Sequence, residues 1–216
     1  MNAPIKFAPE GYPFIAGFGI LTLLLYLVGG VWAALLPLLL TLFMLYFFRD
    51  PERNIPGGED LFLSPADGRV ILIQNVSGDA CFADRSTEIS IFMSPLNVHV
   101  NRAPCDGVVE SVVHTPGKFI SAFKPEASLQ NENITMILKG TGSRVLVRQV
   151  AGAIARRAVC RVKPGDRLKK GERYGIIKFS SRLDIYLPEN TEIKVKLGDR
   201  VTAGETILGA MGNDRG

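Results

Sequence analysis

The fold turns on Val162 to Ile177, "VKPGDRLKKGERYGII", because nearly the same text returns as "VKLGDRVTAGETILGA" from Val195 to Ala210. Gly165 and Gly198, Asp166 and Asp199, Gly171 and Gly204, and Glu172 and Glu205 fall in register at an offset of 33. Each copy reads as strand, Gly-Asp turn, apolar residue, glycine and strand again, with the glycines free to take positive φ where the chain bends. A second echo lies upstream, where "PADGRV" (Pro65 to Val70) matches "PCDGVV" (Pro104 to Val109).

Around these repeats the chain is a series of short apolar runs: "GRVILIQNV", "TEISIFMS", "GVVESVVH", "NITMILKG", "RVLVRQVAG", "YGIIKFS", "RLDIYLP", "TEIKVKLG" and "ETILGAM". They are rich in Val and Ile and separated by Gly and Asp, which predicts an all-β sandwich or barrel. Paired half-repeats of this kind are how barrel-sandwich folds of the lipoyl and biotinyl type are written. The expected fold class is therefore mainly β, a barrel-sandwich-like domain with lipoyl/biotinyl-like half-repeats. "AGAIARRAVC" fits either a helical turn or a continued strand.

The N-terminal part is different. From Tyr12 to Phe48 there is no charged residue. The run exceeds one membrane span of about 20 residues and suits two short ones of roughly 17 each, broken near Gly29-Gly30. It lacks the basic start and small-residue cleavage site of a signal peptide. A hydrophobic helical hairpin over residues 1–54 is expected, then the linker "NIPGGED" and a β-rich domain over 55–216. Arg49 and Arg53 follow the run, which favours both hairpin ends, and the domain, on the cytoplasmic face of the inner membrane.

Cys81, Cys105 and Cys160 are odd in number and lack metal-site spacing, so neither a disulfide framework nor a zinc site is expected. A net charge of +4 without a Lys/Arg block suits approach to anionic lipid and excludes a nucleic-acid groove. There are two histidines, His99 and His114, and either is a candidate for proton transfer near neutral pH. Asp67 stands in an Asp-Gly turn. Ser180 and Ser181 form a polar bend between two apolar strands, with no G-x-S-x-G elbow to make either a hydrolase nucleophile.

The chain resembles the phosphatidylserine decarboxylases of the short, bacterial and archaeal-like form. The blocks that carry the resemblance are "EGYPFIAGF", "FFRDPER", "SPADG", "IFMSPLNVHVNRAP", "PGKF", "NEN", "QVAGAIARR" and "RYGIIKFSSRLDIYLP", and they span essentially the whole chain. The resemblance implies a proenzyme that makes its own cofactor. Ser181 would attack the carbonyl of Ser180, and the resulting ester would eliminate to split the precursor into a β chain, 1–180, and an α chain, 181–216. The new N-terminus would become a pyruvoyl group, with no external cofactor or metal. By position, His99 would serve as base to Ser181 and Asp67 would orient His99, the logic of a triad. His99 would also protonate the carbanion left by CO2 as phosphatidylserine becomes phosphatidylethanolamine. Phosphatidylserine and the bilayer are the implied partners, with the α and β chains held together. Assembly of identical copies is left open, and nucleic acid is excluded. Arg49, Arg53, Arg156 and Arg157 are candidates to attract the anionic headgroup.

Two positions depart from the family pattern. Long-form members carry a second His three residues after His99, where this chain has Arg102. The family has Gly before the reactive serine, where this chain has Ser180, and a β-carbon at a left-handed bend costs roughly 1–2 kcal/mol. Slow or deficient processing follows as an expectation. Two rivals remain: a catalytically silent membrane-anchored relative, and a barrel-sandwich binding module. The module would need a lysine at a hairpin tip in a Met-Lys-Met or Asp-Lys setting, which the chain lacks.

Overall fold

The computed structural model describes residues 6–58, 60–77, 85–121, 123, 126–140, 143–152, 157–179 and 181–212. The chain forms two compact units, Met1–Glu52 and Arg53–Gly216. Ser180, Cys81 and Arg156 lie outside the described residues.

In the first unit, β1 (Lys6–Phe7) pairs antiparallel with β2 (Arg49–Asp50), on either side of helix α1 (Tyr12–Phe47). Gly30, at φ 71° and ψ −166°, breaks α1 into stretches 12–29 and 31–47. Each is about 26 Å long at 1.5 Å per residue, close to the hydrocarbon thickness of a bilayer. They fold back on one another. The Thr22 and Thr41 hydroxyls lie 3.3 Å apart, the rings of Phe14 and Phe48 stack at 5.6 Å, and the Ala8 amide donates to the Phe48 carbonyl at 2.8 Å. A side chain at Gly11 would collide with the Phe48 ring. Leu27, Val28, Trp32 and Leu36 are all exposed, the surface expected of a hairpin solvated by lipid.

The second unit holds the remaining strands: β3 (Leu61–Leu63), β4 (Gly68–Val76), β5 (Ser86–Met93), β6 (Val100–Arg102), β7 (Gly107–Thr115), β8 (Asn133–Lys139), β9 (Arg144–Ala151), β10 (Ala158–Cys160), β11 (Arg167–Leu168), β12 (Arg173–Ile177), β13 (Ser181–Pro188), β14 (Thr191–Ile193), β15 (Arg200–Val201) and β16 (Ile207–Met211). One short helix, α2 (Ala127–Gln130), joins them. Eight strands form a curled antiparallel sheet in the order β11-β7-β8-β9-β13-β5-β4-β15, and two three-stranded sheets, β10-β12-β6 and β14-β16-β3, complete the unit. Of "AGAIARRAVC", Ala158–Cys160 is strand, and residues 153–156 lie outside the described residues.

The two sequence echoes turn out to be one device. β11, from the first half-repeat, pairs with β7, into which the "PCDG" segment leads; β15, from the second, pairs with β4, into which the "PADG" segment leads. The Val109 amide donates to the Asp166 carbonyl at 2.8 Å, and the Val70 amide to the Asp199 carbonyl at 2.9 Å. Gly165 and Gly198 sit at φ 93° and 91°, Gly171 and Gly204 at 77° and 75°, a left-handed region that a β-carbon makes costly. The pseudo-symmetric halves are cross-tied where the Arg102 amide donates to the Pro65 carbonyl at 3.0 Å and the Leu63 amide to the Pro104 carbonyl at 2.8 Å. β13 runs through the middle of the large sheet between β5 and β9, and its Leu183, Ile185 and Leu187 enter the core beside Ile89, Ile91 and Val147.

Candidate active site

Ser181 is the first residue of β13, and register sets it opposite Met93 of β5 and Ala151 of β9. It is fully buried. Side chains alternate along a strand, so Ser181 faces the same side as Leu183, toward the core, where its hydroxyl donates to the Met93 sulfur at 3.4 Å. The Asn101 amide nitrogen lies 4.0 Å from the same sulfur, and Asn101 Oδ1 accepts from Gln149 Nε2 at 2.8 Å. A polar row, Ser181, Met93, Asn101 and Gln149, therefore runs inside the otherwise apolar interior. Two residues before Ser181, Phe179 has φ 57°, the one positive φ outside glycine among the described residues. Left-handed backbone at a bulky residue carries strain of roughly 1–2 kcal/mol, and here it sits at the bend that delivers the chain to Ser181.

His99 immediately precedes β6 and is fully buried. Its carbonyl accepts the Ile177 amide at 3.3 Å, extending the pairing of β6 with β12 by one residue. In an extended segment, residues two apart share a side, so the His99 ring leaves the chain on the side of Asn101. Nδ1 lies 3.0 Å from the Asn97 carbonyl. A carbonyl can only accept, so in the neutral ring Nδ1 bears the proton and Nε2 carries the basic lone pair. His114, the other histidine, is on the outer part of β7 with its side chain 55% exposed and Nε2 3.3 Å from Glu132.

Asp67 lies in the turn before β4. Its carboxylate accepts from Arg53 at 3.0 and 2.8 Å and from the Ala203 amide at 2.8 Å. Arg53 also approaches Glu205 at 3.8 Å, so this arginine is engaged inside the β unit. Arg49 donates to the Tyr46 carbonyl and stacks over the Tyr46 ring at 3.8 Å. Arg157 is exposed. Arg102 is buried and donates to the Gly171 carbonyl at 3.0 Å, on the opposite side of β6 from Asn101. It ties a half-repeat turn to β6.

Sequence reasoning missed what surrounds the other face of β13. Arg182, buried, donates to Asp184 at 2.5 Å, to Ser90 at 2.7 Å and to Glu88 at 3.3 Å. Ser128 of α2 donates to the second Asp184 oxygen at 2.6 Å, Gln74 donates to Glu88 at 2.7 Å, and Arg148 reaches the Tyr186 hydroxyl at 3.2 Å. In sequence, Arg182, Asp184 and Tyr186 alternate with Leu183, Ile185 and Leu187, and the alternation names none of their buried partners. Ser128 reaches Asp184 from α2, a four-residue helix too short to announce itself by periodicity. The two described cysteines are free. Burial, with Asp106 nearby, pushes the Cys105 thiol up to about 12, and burial raises Cys160.

A family model described as phosphatidylserine decarboxylase matches residues 40–209. The chain is 48% identical over 220 residues to the phosphatidylserine decarboxylase proenzyme of Pelobacter propionicus, covering 98% of each chain. It is 46% identical over 211 residues to the proenzyme of Geotalea uraniireducens, covering 97% of this chain and 98% of that one. Against the proenzyme of Geobacter sulfurreducens it is 48% identical over 216 residues, again covering 97% and 98%. With a family model over residues 40–209 and near full-length relatives in agreement, the chain belongs to the phosphatidylserine decarboxylase family.

Proposed function

We propose that the chain is made as a proenzyme, cuts itself between Ser180 and Ser181, and then decarboxylates phosphatidylserine to phosphatidylethanolamine and CO2 in phospholipid synthesis. The observation that supports this reading is the full burial of Ser181 at the start of β13 and of His99 just before β6. A serine hydroxyl is a poor nucleophile until a base takes its proton. Nε2 of His99 is that base. The Ser181 hydroxyl attacks the Ser180 carbonyl, the peptide bond becomes an ester, and loss of the α-proton expels the Ser180 carboxylate. The dehydroalanine left on the α chain takes up water and releases ammonia to become the pyruvoyl group.

The residues present fit such a group: its atoms come from Ser181, its backbone is pinned by β5 and β9, and the nearby side chains are soft or neutral. When formed, the pyruvoyl supplies an electrophilic ketone that takes up the substrate amine and accepts the electron pair left as CO2 departs. His99 holds the proton that replaces CO2. Asp67, clamped by Arg53 and the Ala203 amide, braces the turn whose Pro65 carbonyl receives the β6 amide of Arg102, and so acts as a positioning residue for His99. The apolar hairpin anchors the enzyme at the cytoplasmic face of the inner membrane, where a diacyl substrate remains.

Ser180 favours a second reading, a proenzyme that matures slowly or stays uncut. Intact mass and CO2 release from carboxyl-labelled phosphatidylserine separate them. Pieces 1–180 and 181–216 with CO2 release support the first reading. A chain that stays whole and releases no CO2 sinks it.

A further inference from the structure

Two loops meet at the end of the large sheet where Ser181 begins β13, and both present apolar side chains outward. The turn after β5 carries Leu96, 64% exposed. The segment between β7 and β8 carries Phe119, Phe123 and Leu129, the last two 63% and 81% exposed. This segment is fastened to the site by its inner side. The Phe123 ring packs edge-on against Phe92 at 5.6 Å, and Ser128 bonds Asp184. Asn131 donates to the carbonyls of Ile120 and of Ala151, the residue opposite Ser181. Its inner contacts are thus one aromatic edge, through Phe123, and the hydrogen bonds of Ser128 and Asn131, while Leu129 and the open side of the Phe123 ring are apolar and exposed. Two lysines lie close in the chain: Lys118, exposed, bonds Gln130 of the same segment, and Lys178, half-buried, stands three residues before Ser181.

We propose that this face, Leu96, Phe119, Phe123 and Leu129 with Lys118 and Lys178, dips into the headgroup layer of an anionic phospholipid leaflet and holds the Ser181 end of the sheet there. The inference rests on the lipid substrate proposed above. Three observations select a leaflet as the occupant. Ser181 and His99 are fully buried, so a substrate whose acyl chains remain in the bilayer reaches them only if this end of the sheet lies at the surface. The long apolar hairpin commits the same molecule to a membrane. Exposed aromatic and leucine side chains with lysines close in the chain match an interfacial layer, apolar below and anionic above.

The test uses the full chain in vesicles of phosphatidylcholine and phosphatidylglycerol. Trp32 is the single tryptophan, so Trp32→Phe gives a dark background for Leu129→Trp, and for Glu189→Trp as a control at the opposite end of β13. Phospholipids brominated at shallow or deep acyl positions report depth. We expect shallow bromines to quench L129W at least twofold and deep bromines less, with E189W unaffected. Equal quenching of the two positions overturns the proposal, as does a blue shift of L129W without lipid, the sign of a second copy covering the face. In activity, Leu96→Ser/Leu129→Ser should raise KM at least tenfold for phosphatidylserine in bilayers and leave kcat unchanged. Turnover of dispersed short-chain phosphatidylserine should also be unchanged. Equal loss on both substrates overturns docking. Unquenched L129W in an active enzyme sinks this inference alone, and quenched L129W in a chain that releases no CO2 sinks only the proposed function.

Discussion

The hydroxyl of Ser181 is bonded to the sulfur of Met93 at 3.4 Å, and the two residues are also direct partners in the β5–β13 ladder. The proton that must leave for Ser181 to react is therefore held by a weak acceptor. Met93→Leu keeps the volume and removes the acceptor, so stability should change by less than about 1.5 kcal/mol. Freed from a bond worth about 0.5–1 kcal/mol, the hydroxyl should react about twofold to fivefold faster. A time course of chain cleavage measures this. Cleavage slowed tenfold would instead make Met93 a residue that aims the attack.

His99→Asn keeps a donor near the Asn97 carbonyl and removes the base. Cleavage should slow by about 10²–10⁴-fold, the usual worth of a positioned general base. Retention of cleavage within tenfold of the parent would take the base assignment away from His99.

Ser180→Gly should speed cleavage by up to about tenfold, because glycine adopts left-handed backbone at no steric cost. The strain at Phe179 suggests that the bend already holds some of the required distortion. Quench-flow or pulse-chase electrophoresis of the two variants side by side decides it, and an unchanged rate removes Ser180 as the slow element.

Arg182→Met leaves Glu88 and Asp184 as buried carboxylates without their shared cation, at a cost of about 3–5 kcal/mol. The melting temperature should fall on the order of 10 °C for a domain of this size. Arg144→Met breaks an exposed pair with Glu110 and should change stability by at most about 1 kcal/mol. Similar melting shifts for the two variants would contradict the burial argument.

Cys105 keeps its proton up to about 12 in the folded chain against an ordinary value of 9.0. The thiolate is the reactive form, so Cys105 should resist iodoacetamide at pH 8 until the protein is unfolded, as peptide mass mapping would show. The sign for stability follows. The unfolded chain loses this proton near 9.0 and the folded one does not, so the contribution is whole below pH 9 and declines as pH rises toward 12. Cys105→Ala should flatten that decline in urea titrations.

The parts of the fold written locally were legible. Gly-Asp turns announced the half-repeats, and Gly30 stands at the break in the apolar run. What the sequence did not disclose is pairing at a distance. Both echoes were visible, yet nothing local says that "PADG" pairs with the second half-repeat and "PCDG" with the first. The same limit applies to the site. Ser181 and His99 came from the family resemblance, whereas Met93, Asn101 and Gln149 reach them only through strand register. The partners of the polar face of β13 stayed hidden for a different reason: Ser128 reaches Asp184 from α2, and a four-residue helix leaves too short a pattern to detect. The bend residue Ser180, the departure that bears most on processing, lies outside the described residues.

β13 is an interior strand, hydrogen-bonded along both edges, and it is also the first element of the piece that scission at Ser181 would create. This fixes an order of events. The ladder has to close before the cut, since a severed 36-residue tail would have to thread itself between two strands already zipped together. Under the proposed scission, folding would have to precede processing, and the two pieces would remain a single non-covalent particle afterwards. Fragment complementation should fail accordingly: residues 1–180 and 181–216 made on separate messages will not rebuild the enzyme that one continuous transcript produces.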